Sequence, residues 1–145
     1  MKRGFTLVEL LIVIMVIAIL IGIALPRFGG MRDEGNTTKA AAELRTLQAA
    51  VESYYIHQNH IYPTANATWE NPLITVTPQI ISSTLNDPFA AAGTQYLYNV
   101  SGNYYVIGSL GAGKNGTVAI STVGAVTAAN NAIFVSNGNP GTGGF

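Results

Sequence analysis

One carboxylate stands inside the most apolar stretch of the chain: Glu9, in the run FTLVELLIVIMVIAILIGIAL of residues 5–25. An acid near the start of an apolar helix costs up to ~3 kcal/mol in a membrane, so it marks a functional position. Its chemistry there is that of an ion-pair acceptor. His57 and His60 are the only histidines and are spaced i, i+3 near a helix end. Such a pair could bind a metal weakly, but solvated histidines at a helix C-terminus are the favoured reading. Residues 108–115, GSLGAGKN, nearly spell the phosphate loop GxxxxGK[ST]. Asn115 replaces the hydroxyl that would meet magnesium, and the next segment reads as strand, so the context is missing. Asp87, Ser109 and either histidine show no triad spacing. Asn36, Asn66, Asn99 and Asn115 head sequons, which arise easily in a chain rich in Asn and Thr. No motif points to catalysis, and the chain is expected not to be an enzyme.

The element that carries Glu9 is read from length and apolarity. The 21 residues 5–25 contain one charge. As a helix they span about 31 Å, close to the ~30 Å hydrocarbon core of a bilayer. They are apolar on every face, so the helix needs lipid or copies of itself around it. Lys2 and Arg3 precede it and favour a cytoplasmic N-terminus. A signal peptide cut near Gly22-Ile23-Ala24, or a plain anchor, would account for the apolarity but not for Glu9. Pro26 lacks an amide hydrogen, Gly22 is a weak helix former, and Gly29-Gly30 follow, so the helix is expected to kink or melt between Gly22 and Gly30.

The remaining residues suffice for one small domain. Charged residues make up 10% of the chain, against a typical ~25%. After Glu70 the only charged side chains are Asp87 and Lys114. Zero formal net charge gives no electrostatic case for nucleic acid. The lack of cysteine excludes disulfides and thiol chemistry. Asn36 or Thr37 is the expected cap of a second helix over residues 38–57. Leu44, Leu47, Val51 and the pair Tyr54/Tyr55 form its apolar stripe, with Arg45, Gln48 and Glu52 on other faces. Strands are expected at residues 73–76, 95–100, 104–110, 117–123 and 132–135, with a turn at Ser101-Gly102-Asn103. The fold class is α+β: a long N-terminal helix packed on a small antiparallel β-sheet.

The segment Gly4-Phe5-Thr6-Leu7-Val8-Glu9-Leu10 resembles the cleavage and methylation motif of type IV prepilins and type II secretion pseudopilins. The resemblance implies the pilin fold, cleavage after Gly4 by a prepilin peptidase, and N-methylation of Phe5 as the mature N-terminus. It divides the chain into a leader at residues 1–4, a transmembrane and polymerisation helix at 5–30, and a globular head at 31–145. The head would hold an amphipathic helix at about 37–58, a loop, a β-sheet at about 73–136 and a polar tail. Pro26 falls where such subunits usually carry a helix proline. Phe5, Glu9, Gly22 and Pro26 are the expected assembly residues. Cleavage would turn the Phe5 nitrogen from a neutral amide into a cation. Glu9 could then pair with its own terminus or with that of a neighbouring subunit, which fixes register.

Tyr62-Pro63-Thr64, Asp87-Pro88-Phe89 and the run YVIGSLGA of residues 105–112 are similar to the major pseudopilin of type II secretion. That similarity implies a calcium loop, of which Leu110, Gly113 and Asn115 are the remnant. Gly113 and Asn115 stand where acids would be expected, and calcium prefers charged oxygen ligands, so a tight site is not expected. The leading expectation is a type IV pilus-like subunit for adhesion, motility or DNA uptake. The alternatives are a major pseudopilin driving protein export and a minor tip pilin acting as a binding module. The partners implied are the homopolymer, the prepilin peptidase, membrane lipid before assembly, and an inner-membrane platform with its ATPase. The implied location is the inner membrane as a single-pass precursor, then an extracellular filament or a periplasmic pseudopilus.

Overall fold

A computed structural model describes residues 4–140, without the side chains of residues 26–29 and 140. The leader residues Lys2 and Arg3, the side chain of Pro26 and the end of the polar tail lie outside the described residues. The chain forms two units, residues 1–35 and 36–145.

The first unit is the N-terminal part of helix α1 (Leu7–His57). Leu, Ile and Val fill its surface and none of its most apolar window is buried within the chain. Helix runs through residues 22–30 without a break, so the expected melting there does not occur. A proline removes one backbone hydrogen bond, and good helix formers on both sides carry the helix past it. The expected cap at Asn36 or Thr37 is corrected as well, because both lie inside α1. Asn and Thr cost only a few tenths of a kcal/mol inside a helix, and the helix formers Ala40, Ala41 and Ala42 follow closely.

The second unit contains α1 from residue 36 onward, a short α2 (Asn71–Thr75) and six strands. Ala40, Leu44, Leu47, Ala50 and Val51 are buried, an i, i+4, i+7 stripe. They pack with Trp69, Leu73, Phe89, Tyr96, Tyr105 and Ile107 in the main core. The segment expected as a strand at 73–76 is α2 instead. Pro72 sits in its first turn, where a fixed φ and a missing N–H suit a helix start.

Strands β1 (Leu97–Ser101) and β2 (Tyr104–Ser109) form an antiparallel hairpin pairing Ser101 with Tyr104 across Gly102-Asn103. Gly102 has φ 59°, which a tight hairpin turn requires. Later in the chain come β3 (Thr117–Ile120), β4 (Ala125–Ala129), β5 (Ile133–Ser136) and β6 (Asn139–Pro140). Among the described residues there are two sheets of three strands, ordered β1-β2-β5 and β3-β4-β6. All pairings are antiparallel except β4 with β6. The single sheet expected from the sequence is therefore two. Strand β2 is buried on both faces. Tyr105 and Ile107 join the helix core, whereas Val106 joins a second cluster with Ile120 and Val126. Gly108 allows the close approach, since a Cβ there would lie 2.6 Å from Val118 Cγ1.

Candidate assembly site

Helix α1 begins with a reciprocal cap. Thr6 Oγ1 accepts from the Glu9 backbone N–H at 3.2 Å. Glu9 Oε2 accepts from the Thr6 backbone N–H at 3.2 Å and from the Thr6 hydroxyl at 3.1 Å. This T-x-x-E capping box satisfies two of the donors that every helix start leaves open. In the uncleaved chain the carboxylate thus already has local partners. Phe5 immediately precedes the cap and is 77% exposed. Its nitrogen, once freed, would be one residue from the Thr6 N–H that Glu9 already holds. A side chain at Gly4 or at Gly22 would meet nothing within 4 Å. Neither glycine is therefore crowded by another part of the chain among the described residues. Of the expected assembly residues, Glu9 and Gly22 lie on α1, and Phe5 lies two residues before its start.

In the head, Asp87 is the organising polar group. It is 4% exposed. Its Oδ1 accepts from the Ser109 hydroxyl at 2.7 Å and from Phe89 N–H at 3.0 Å. Its Oδ2 accepts from Leu110 N–H at 2.7 Å. Three donors on a buried carboxylate replace the water it has lost. Ser109 is fully buried and gives its proton to Asp87, so it offers no nucleophile to solvent.

The loop after β2 does bring Leu110, Gly113 and Asn115 together. Leu110 C=O accepts from Gly116 N–H at 2.9 Å, and Asn115 C=O accepts from Asn130 Nδ2 at 3.1 Å. A Cβ on Gly113 would lie 2.8 Å from Asn115 Oδ1. The ligands these three residues offer are the Asn115 amide oxygen and backbone carbonyls, of which those of Leu110 and Asn115 already accept hydrogen bonds, while both oxygens of Asp87 are taken by N–H and O–H groups. That set carries no charged oxygen and does not fit a tight calcium site. Among the described residues no cluster of three His, Cys, Asp or Glu could hold a metal. Residues 108–115 also fail as a phosphate loop, because β3 rather than a helix follows. His57 Nδ1 lies 2.7 Å from the Ser53 carbonyl, and His60 sits in a left-handed turn (φ 60°) edge-on to Tyr55.

Sequence reasoning missed the polar ties between α1 and the sheet. Glu52 and Gln48 fall off the apolar stripe, yet Tyr105 donates to Glu52 Oε1 at 2.8 Å and Gln48 Nε2 donates to Ser136 C=O at 3.4 Å. Tyr96 donates to Glu43 in the same way. Burial, reinforced by these glutamates, raises the pKa of both tyrosines. Asn137 is a clamp: its Oδ1 accepts from Tyr105 N–H at 2.8 Å, and its Nδ2 donates to Tyr62 Oη and Asn103 C=O. The one hint in the sequence was tyrosines facing glutamates across a helix–sheet layer, which requires the pairing to be known first.

Comparison with known proteins bears on this arrangement. Residues 1–25 match the family model described as the prokaryotic N-terminal methylation motif. The fimbrial protein of Pseudomonas aeruginosa is 30% identical over 124 residues, covering 84% of this chain and 78% of that protein. The chain belongs to the type IV pilin and pseudopilin family. The chain is also 34% identical over 70 residues to type II secretion system core protein G of Escherichia coli, 48% of each chain. It is 37% identical over 70 residues to the type IV narrow pilus major component PilA5 of Thermus thermophilus, 48% of this chain and 60% of that one. The matched stretches thus span about half the length of these last two relatives. No solved structure matches the pilin at a significant level. The α+β arrangement agrees with the pilin fold.

Proposed function

We propose that this pilin is the structural subunit of a type IV pilus-like filament and not a catalyst. It would be held in the inner membrane by residues 5–30, cut after Gly4 by a prepilin peptidase and N-methylated at Phe5. It would then polymerise through its N-terminal helix into an extracellular filament. The observation that carries this reading is the apolar helix that the chain leaves bare, with one carboxylate at its head. Lipid can solvate such a helix, and so can a bundle of its own copies. Leaving lipid gains little hydrophobic energy, so packing and the charge of Glu9 must direct the exchange. An unpaired Glu9 in a bundle would cost several kcal/mol, so subunits stop where the carboxylate meets a Phe5 amine.

Two observations favour a pilus over a secretion pseudopilus. The match to the fimbrial protein extends through most of the head, whereas the match to core protein G covers about half the chain. The loop of residues 110–116 carries no carboxylate. The similarity to core protein G itself supports the pseudopilus as the second reading. The test is Glu9→Ala in the native host. Membrane insertion should persist while sheared filament yield falls at least tenfold, and normal yield would overturn the register argument. Electron micrographs of the cell surface separate the two readings, since a pseudopilus does not extend from an unmodified cell.

A further inference from the structure

Glu70 is a fully buried carboxyl group that takes no part in assembly. Its Oε2 accepts from Leu85 N–H at 2.7 Å, and its own N–H donates to Gln95 Oε1 at 3.2 Å. Its Oε1 is buried and has no hydrogen-bond partner among the described residues. No cation forms a salt bridge with it among those residues. The groups that face it are acids and phenols. Glu43 approaches from α1, tied to Lys39 at 3.7 Å. Tyr96 approaches from the segment before β1, held by Glu43 and within the field of Asp87. A carboxylate placed here would sit among like charges with one oxygen unpartnered, offset by the short bond from Leu85 N–H and the weaker pull of Tyr96 N–H. The simplest ligand for such an oxygen is a proton.

We propose that Glu70 is a proton-binding latch. Protonated, it holds Leu85 and the segment from α2 to Leu85 against the head core; ionised, it loosens that segment. The segment has little else of its own to hold it. Ile80 and Ile81 donate their N–H groups to Leu73 C=O, and Ile80, Ile81 and Leu85 pack partly buried on the core. When the proton leaves for water, the charge stays on the carboxylate and must be solvated. Opening the segment admits that water.

Burial is the main cause that pushes the Glu70 pKa from 4.5 up to about 7; the N–H groups of Leu85 and Tyr96 oppose it and Glu43 adds to it. The sign follows. The fold prefers the neutral acid, so head stability is whole below pH 4.5, falls as pH rises from there, and levels off above about pH 7.

The test uses full-length protein in detergent micelles, with urea unfolding followed by the fluorescence of Trp69. This single tryptophan is buried next to Glu70. Between pH 4.5 and 7 the folded-to-unfolded ratio of wild type should drop about 80-fold relative to Glu70→Gln, which carries no titrating group. Equal slopes in the two proteins would overturn the latch. If Glu70→Gln does not fold, the carboxyl carbon resonance of Glu70 in labelled wild type decides. Titration near neutral pH supports the proposal, and titration in the ordinary glutamate range sinks it.

Discussion

The hydroxyl of Tyr105, at the centre of the sheet, donates to Glu52 on the helix at 2.8 Å. The ring is fully buried, so the phenol has exchanged water for one carboxylate. Removing that acceptor should leave a stranded donor at a cost of about 1–3 kcal/mol. Glu52→Ala should therefore lower the urea midpoint clearly, and Glu52→Ala combined with Tyr105→Phe should cost less than the two single changes added together. Additive losses in the double-mutant cycle would show that the two groups do not interact.

The same burial sets the alkaline limit of the fold. Tyr62 is pushed up to about 12, first by burial and then by Glu52, and burial raises Tyr96, Tyr98 and Tyr105 as well. The fold favours the neutral phenol, so this contribution is intact below pH 10 and is lost as pH rises through about 12. Tyrosinate absorbance should rise together with the loss of Trp69 fluorescence in that window. Tyrosinate formation that is complete while the head is still folded would contradict it.

Gly4 offers a clean probe of processing. A side chain there meets nothing within 4 Å, so Gly4→Ser should leave the structure alone. Any block must then lie at the peptidase. Mass spectrometry of membranes should show the uncut precursor accumulating. A methylated chain beginning at Phe5 in that variant would refute the proposed cleavage site.

Asp87 should be the costliest polar side chain to alter in the head. Asp87→Asn puts an amide NH2 against a backbone or hydroxyl donor and should lose about 2–6 kcal/mol, given two mismatched buried groups at ~1–3 kcal/mol each. A chelator, by contrast, should leave the melting temperature of wild type unchanged. A marked drop would mean that the loop of Leu110, Gly113 and Asn115 holds calcium after all.

How far the sequence could be read depended on whether a residue's role is local. Strand β2 was legible because aromatic and β-branched residues follow a Gly-Asn turn. The stripe of Leu44, Leu47 and Val51 was legible from spacing alone, and Glu9 from its apolar neighbours. Strand β4, AVTAA, escaped because alanine signals no strand, and its pairing with β3 is a matter of tertiary context. Residues 73–76 misled because the β-branched Ile74 and Thr75 outweighed a proline placed for a helix start. Glu52 was placed off the apolar stripe, and nothing local singles out Glu43 or Glu70. Their acceptor roles depend on Tyr96, Tyr105 and Leu85, which lie 15 to 53 residues away.

Strand β2 lends one face to the helix core and the other to Val106, Ile120 and Val126. A wall shared by two rooms cannot be pulled down for one of them alone. The outer three strands have no separate floor to stand on if α1 lets go, so the head should come apart in one step. A pull on the N-terminal helix that dislodges Leu44 or Leu47 would then be felt at the far surface of the subunit, through a single ribbon of backbone.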